Sequence, residues 1–180
     1  CNAPIQQLYN LGAEIEENSE LDLFEAFHKH DGDKRIPEVV ADMAKELGEG
    51  NKKPEILPKL AQYELTLLDW IEAHKGSREY VAVAGKCWPA FQTQFGFVPC
   101  YVNSRLTGRG IPVSCEVDIY GALSEFIGTV VSEDAVTSTT RYPGICSRRT
   151  SKGNTRISTR IPLWASIAAI PVRQSCVSAR

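Results

Sequence analysis

The sequence predicts an α/β fold: a parallel βαβα unit of an open sheet, preceded by a helical region and followed by an irregular C-terminal tail. Three observations carry this. Up to residue 75, apolar residues recur at helical spacing. After Gly76 the pattern changes to short β-branched runs, at 79–85 and 111–117, separated by a helix-like crossover and followed by another helical stretch. Strand, crossover, strand, helix implies parallel strands with right-handed connections. Finally, all 22 Asp and Glu lie before residue 137, so the last segment is of a different character.

The helical region, residues 1–75, is bounded by local signals. In "IPEVVADMAKELGEG", Pro37 suits the first turn of a helix, Val40, Met43, Ala44 and Leu47 share one face, and Gly48 stops it. "HDGDKR" at residues 30–35 is a polar turn. In "LPKLAQYELTLLDWIEAHKG", Leu60, Tyr63, Leu67, Trp70, Ile71 and His74 form a stripe that Gly76 ends. Core packing is the reading favoured for this stripe. From residue 76 to 136 the βαβα unit follows. "EYVAVAG" and "IPVSCEVD" read as buried strands, "PAFQTQFGFVPCYVNSRLTGRG" as an interrupted helical crossover, and "IYGALSEFIGTVVS" as a helix. No GxGxxG supports a dinucleotide site.

Charge divides the chain at the same place. The net charge of −2 combines 12 Lys/Arg against 22 Asp/Glu in residues 1–136 with eight Lys/Arg against none in 137–180. A basic, Ser/Thr-rich block suggests a polyanion-binding arm. The apolar run "IPLWASIAAIPV" inside it argues against a solvated arm, so nucleic acid is not the expected partner. No stretch of 18 apolar residues predicts a membrane span. The opening "CNAPIQQLYN" has neither a basic n-region nor an apolar h-region, and reads as a chain entered partway. Six Cys without a CxxC pair, one of them in mid-strand, fit a reduced, cytoplasmic protein.

Ligands of open parallel sheets bind beyond the carboxyl ends of the strands. Two such ends are visible, "AGKCWP" at 84–89 and "SCEVDIYG" at 114–121. Glu116 and Asp118, two apart on an extended chain, would face the same way, as a cation site or an acid–base pair. Asp118 is equally readable as the N-cap of the helix that begins near Ile119. Lys86, Cys87 and Trp88 at the other strand end could form a sugar-facing wall, and Lys86, Trp88 and Gln92 are candidates for sugar contact by position alone. His28, His30 and His74 have no metal-site spacing.

The segment "KCWPAFQTQFGFVPCYVNSRLTGRGIPVSCEVDIYGALSE" (86–125) resembles the L-fucose isomerase family and its arabinose isomerase-like relatives, with "GIPVSCEVDIYGAL" the most specific piece. The resemblance extends from residue 1 to about Val136. It implies a homo-oligomeric, manganese-dependent aldose–ketose isomerase, of which this chain is an internal fragment. Glu116 matches the family's metal-binding Glu and would also be the base; Asp118 stands beside it. The family's Asp and His belong to stretches resembling "TLLDINNTVP" and "MGFHCGNT", and neither stands in this sequence.

Back-translation offers a reason. Codons for "DINNTVP", read one base later, yield "TSTTRYP", residues 137–143; codons for "GFHCGNT", read with the same offset, yield "ASIAAIP", residues 165–171. Residues 137–180 therefore read as a frame-shifted translation. Thr140 stands where the Asp would be, and Ser166 and Ile167 where the His would be. On this reading the tail is poorly structured, with any helix confined to about 163–170, and the chain as it stands is inactive. A non-enzymatic remnant, or a basic-tailed polyanion binder, is the alternative.

Overall fold

The computed structural model describes residues 3–132 and the strand at 165–169. The elements follow the order α1 (Ala3–Asn10), β1 (Glu14–Glu17), α2 (Glu20–Lys29), α3 (Ile36–Leu47), α4 (Leu57–Lys75), β2 (Tyr80–Gly85), α5 (Cys100–Gly108), β3 (Val113–Cys115), α6 (Ile119–Ser132) and β4 (Ala165–Ala169). A π-helical turn at Phe91–Phe95 interrupts the crossover between β2 and α5. The fold is α/β. The sheet is parallel, in the order β1-β4-β2-β3. The two expected strands are neighbours, with Val83 opposite Val113 and Gly85 opposite Cys115.

Side-chain alternation on β2 builds a core on each face of the sheet. Val83 points to one side, into a core that it shares with Leu23 and Phe27 of α2, Met43 of α3, Leu60, Tyr63 and Leu67 of α4, and Val102 and Leu106 of α5. Ala82 and Ala84 point to the other, where Leu8 of α1 and Ala122 of α6 close over them. The first core is aromatic around the π-helical turn: Phe91 stacks on Phe95 at 4.3 Å, and Tyr63 meets Phe91 edge-on at 5.1 Å. The stripe on α4 is core as expected, with Leu60, Tyr63, Leu67 and Ile71 buried. Trp70 and His74, at its edge, stack at 4.6 Å.

One buried ion cluster ties the helical layer together. Arg105 on α5 donates from Nε to Glu64 of α4 at 2.7 Å, and its other nitrogens reach Asp42 and Glu46 of α3. Arg109 closes the network on Glu64 at 2.8 Å and on Asp42 at 2.9 Å. The Arg105 and Glu64 side chains are 3% and 1% exposed, so each charge depends on the other for compensation.

Two elements differ from expectation. Glu14–Glu17 is a strand inside the region read as helical. Three glutamates in four residues carry no strand signal of their own; backbone pairing to β4 holds them extended. Its acids are used at the surface, Glu14 against Arg78 and Glu16 against His74. The second is Ala165–Ala169, where at most a short helix was expected. It is a strand between β1 and β2, with Ser166 opposite both Glu14 and Val81. A five-residue apolar run has no periodicity to separate strand from helix, and two open strand edges decide it. The rest of the expected tail, 137–164 and 170–180, lies outside the described residues.

Candidate functional site

The site forms where β2 and β3 end side by side. β3 stops at Cys115, and the next two residues, Glu116 and Val117, take left-handed backbone angles, with φ of 56° and 57°. Such angles cost a non-glycine residue free energy, most of all a β-branched one, and they gather at functional sites. Here they fold the chain back toward β2. Val117 N–H donates to the Gly85 carbonyl at 3.2 Å, and Asp118 N–H to the Cys115 carbonyl at 3.2 Å.

The turn delivers the Glu116 carboxylate to the end of β2. Its Oε1 accepts from Cys87 Sγ at 2.9 Å and from Trp88 N–H at 3.3 Å, with Cys115 Sγ at 3.9 Å. The two sulfurs are 3.2 Å apart, and both cysteines are free thiols. Burial pushes the Cys87 thiol pKa up, and its hydrogen bond to Glu116 and the neighbouring Cys115 add to the effect. Cys87 is half-buried, whereas Cys115 and Glu116 are exposed, so the cluster opens to solvent.

The turn also separates the two acids expected to work together. Because the backbone is not extended at 116 and 117, Glu116 and Asp118 do not face the same way. Asp118 Oδ1 accepts from the Gly121 amide at 2.7 Å, which is the helix-cap geometry at the start of α6. Close packing enforces it: a Cβ on Gly121 would stand 2.5 Å from Asp118 Oδ2 and 2.9 Å from Ser114 Oγ.

The other candidates surround Glu116 without touching a common point. Trp88 is 63% exposed, its indole free at the rim. Gln92 is exposed, and its amide nitrogen reaches the carbonyls of Cys87 and Pro89, at 3.1 and 3.0 Å, in the orientation that satisfies both. Lys86 lines a narrow cleft with Glu20, Leu23, Tyr63 and Asn103, with room for at most about one water molecule. Inside it, Glu20 Oε1 and Asn103 Oδ1 are buried without hydrogen-bond partners. Burial raises the Glu20 pKa; Lys86 opposes this and Glu116 reinforces it.

The histidines stand apart from this site. His30 bonds Asp69 at 3.0 Å and the Ala26 carbonyl at 2.9 Å, His28 bonds Asp31 at 3.2 Å, and His74 meets Glu16. Sequence reasoning placed Glu116, Lys86 and Trp88 at the strand ends but missed the pairing of Cys87 with Cys115. No spacing motif links residues 28 apart; the available signal was that both fall at carboxyl ends of adjacent parallel strands. Glu20 and Asn103 had no signal, since each reads as an ordinary helical residue.

The donor set can be tested against the expected manganese. Mn²⁺ is held by carboxylate, carbonyl, water and imidazole donors, and thiolates suit softer ions. The potential ligand cluster around Glu116 contains two thiols and one carboxylate, with Asp118 committed to its cap. Among the described residues, the strand ends do not supply a manganese donor set.

Comparison with known proteins bears on the chemistry. The chain is similar to proteins named sulfoquinovose isomerase. It is 39% identical over 77 residues to that of Priestia megaterium, 43% of this chain. It is 38% identical over 66 residues to that of a Clostridium species, 33% of the chain. To the protein of Alkalicoccus urumqiensis it is 31% identical over 112 residues, 59% of the chain. The matches cover 16%, 15% and 24% of those proteins, so the chain spans a small part of the relatives' length. No family model and no solved structure matches it. The likeness is thus to sugar isomerases, and these relatives carry the sulfoquinovose name and not the L-fucose name.

Proposed function

We propose that this chain is part of an aldose–ketose sugar isomerase in which Glu116 moves the proton. One observation carries the assignment of the residue. The left-handed pair at 116 and 117 holds an exposed carboxylate across the ends of two parallel strands, where ligands of such sheets bind. The similarity to sulfoquinovose isomerases supports the reaction class.

The proposed chemistry is proton transfer between adjacent carbons of an open-chain sugar. The Glu116 carboxylate takes the proton from C2 of the aldose while the carbonyl oxygen at C1 gains one, giving a 1,2-ene-diol. The carboxyl group then returns its proton to C1, and the O2 hydroxyl loses its proton to leave the ketose. Trp88 offers an apolar face to sugar C–H groups at the rim, and Lys86 and Gln92, close to it in the chain, are the proposed polar contacts. Sulfoquinovose is the first substrate to try, with L-fucose and D-arabinose beside it. No step is assigned to Mn²⁺, because the cluster's donors do not suit it.

The 180-residue chain alone is expected to be inactive, because residues outside it would complete the site. The test is therefore made in the full-length protein from the same coding region, whose DNA is first read across codons 130–145 to establish the frame. Incubation in deuterium oxide should place deuterium at C2 of recovered aldose. Glu116→Gln should abolish this incorporation while leaving the circular dichroism spectrum unchanged. Full exchange in Glu116→Gln would remove the residue from the mechanism, and no isomerisation of any aldose would remove the reaction.

A further inference from the structure

We propose that Cys87, Cys115 and Glu116 form a binding site for a thiophilic divalent cation, of which Zn²⁺ is the type. The site rests on the strand-end geometry and shares the Glu116 carboxylate with the isomerase reading, which needs that carboxylate free of the ion.

The spacing of the three donor atoms carries the argument. A tetrahedral zinc ion with Zn–S near 2.3 Å and Zn–O near 2.1 Å sets its sulfurs about 3.8 Å apart, and each sulfur about 3.6 Å from the oxygen. The structure has the sulfurs 3.2 Å apart and the Glu116 oxygen 2.9 and 3.9 Å from them. Every side of the triangle is within about 0.7 Å of what the ion requires, a shift that side-chain rotation of an exposed cysteine and an exposed glutamate supplies. A disulfide would instead need the sulfurs to close to about 2.05 Å, a larger movement than the metal asks for.

The backbone makes the triangle a built feature. Register fixes Cys115 opposite Gly85, two residues before Cys87, so the thiols emerge at the ends of paired strands. The strained turn at Glu116 and Val117 brings one oxygen of the exposed carboxylate to the thiols. The open side faces solvent beside Trp88, leaving the fourth tetrahedral position to a water molecule, as in zinc sites that keep one place free. Binding balances simply: two thiols lose their protons to solvent, and the two thiolates and the carboxylate bind as the ion goes from six-coordinate in water to four-coordinate, keeping one water and releasing the rest.

The test uses the 180-residue chain and Co²⁺ as a coloured stand-in for Zn²⁺. One equivalent of Co²⁺ should produce thiolate-to-cobalt charge-transfer absorption, which Zn²⁺ abolishes by displacement and equimolar Mn²⁺ does not. Cys87→Ser and Cys115→Ser should each weaken binding by more than the roughly 10–100-fold that loss of an outer-shell partner costs. Cys100→Ser should leave the absorption intact, and Glu116→Gln should weaken binding while preserving the band. An absorption indifferent to Cys87→Ser and Cys115→Ser would overturn the proposal, as would displacement by equimolar Mn²⁺. If a serine variant fails to fold, the unmodified chain decides by alkylation and mass mapping. Zn²⁺ should then protect Cys87 and Cys115 together, and equal labelling with and without Zn²⁺ would overturn the site. Isomerase activity of the full-length protein is read separately, so failure of either proposal leaves the other standing.

Discussion

Arg105→Leu removes the cation at the centre of the helical layer and keeps most of the side-chain volume. The Glu64 carboxylate, 1% exposed, then retains Arg109 Nη1 at 2.8 Å and loses its buried partner. Breaking a buried pair from one side costs about 3–5 kcal/mol, because the remaining charge is left in a poor dielectric. The surviving Arg109 contact places this case near the lower end, about 3 kcal/mol. Asp42 and Glu46 are half-exposed, and their loss adds little. Against a total stability of about 5–15 kcal/mol, this is a large fraction. With a urea slope of about 1–3 kcal/mol per molar, the midpoint should fall by about 1–3 M. The double variant Arg105→Leu, Glu64→Leu removes the stranded charge as well, and should recover most of the loss. Urea titrations followed by circular dichroism read both quantities. A midpoint shift under about 0.3 M in the single variant, or a double variant less stable than the single, would refute the account of mutual compensation.

Other outcomes follow from the turn and the surface network. Gly121→Ala should lower the melting temperature and loosen the start of α6, since the new methyl group would stand 2.5 Å from Asp118 Oδ2; amide exchange at 119–122 checks this, and unchanged protection there would count against the packing argument. Val117→Gly should raise stability, because relief of a left-handed β-branched residue, about 1–3 kcal/mol, exceeds the extra chain entropy of glycine, about 0.5–1 kcal/mol. A lower urea midpoint for Val117→Gly would show that its side-chain packing outweighs the strain. Acid stability should depend on Asp69, whose hydrogen bond with Arg35 lowers its pKa from 3.8 to about 2. A carboxylate with a depressed folded pKa contributes stability above its unfolded value, so the contribution is full above pH 3.8 and is lost as pH falls toward about 2. Arg35→Gln should remove that part of the acid dependence, and NMR titration of Asp69 in the variant should return it toward 3.8.

The sequence by itself determined the features whose causes are local. Apolar spacing on α4 placed Leu60, Tyr63, Leu67 and Ile71 in the core, Gly76 ended that helix, and the β-branched runs around Val83 and Val113 marked two adjacent parallel strands. Asp118 was legible as a cap because a cap and its helix are neighbours in the chain. The place of Glu116 at a strand end was legible because the apolar run before it marks β3. Only the tertiary structure decided the rest. Glu14–Glu17 became a strand because β4 pairs with it, and β4 itself became one by lying between two open edges. The meeting of Cys87 with Cys115 depends on strand register across 28 residues, and the separation of Glu116 from Asp118 on two left-handed residues between them. Periodicity and capping act within a few residues, whereas pairing partners and the direction of a strained turn are set by contacts that exist only once the sheet has closed.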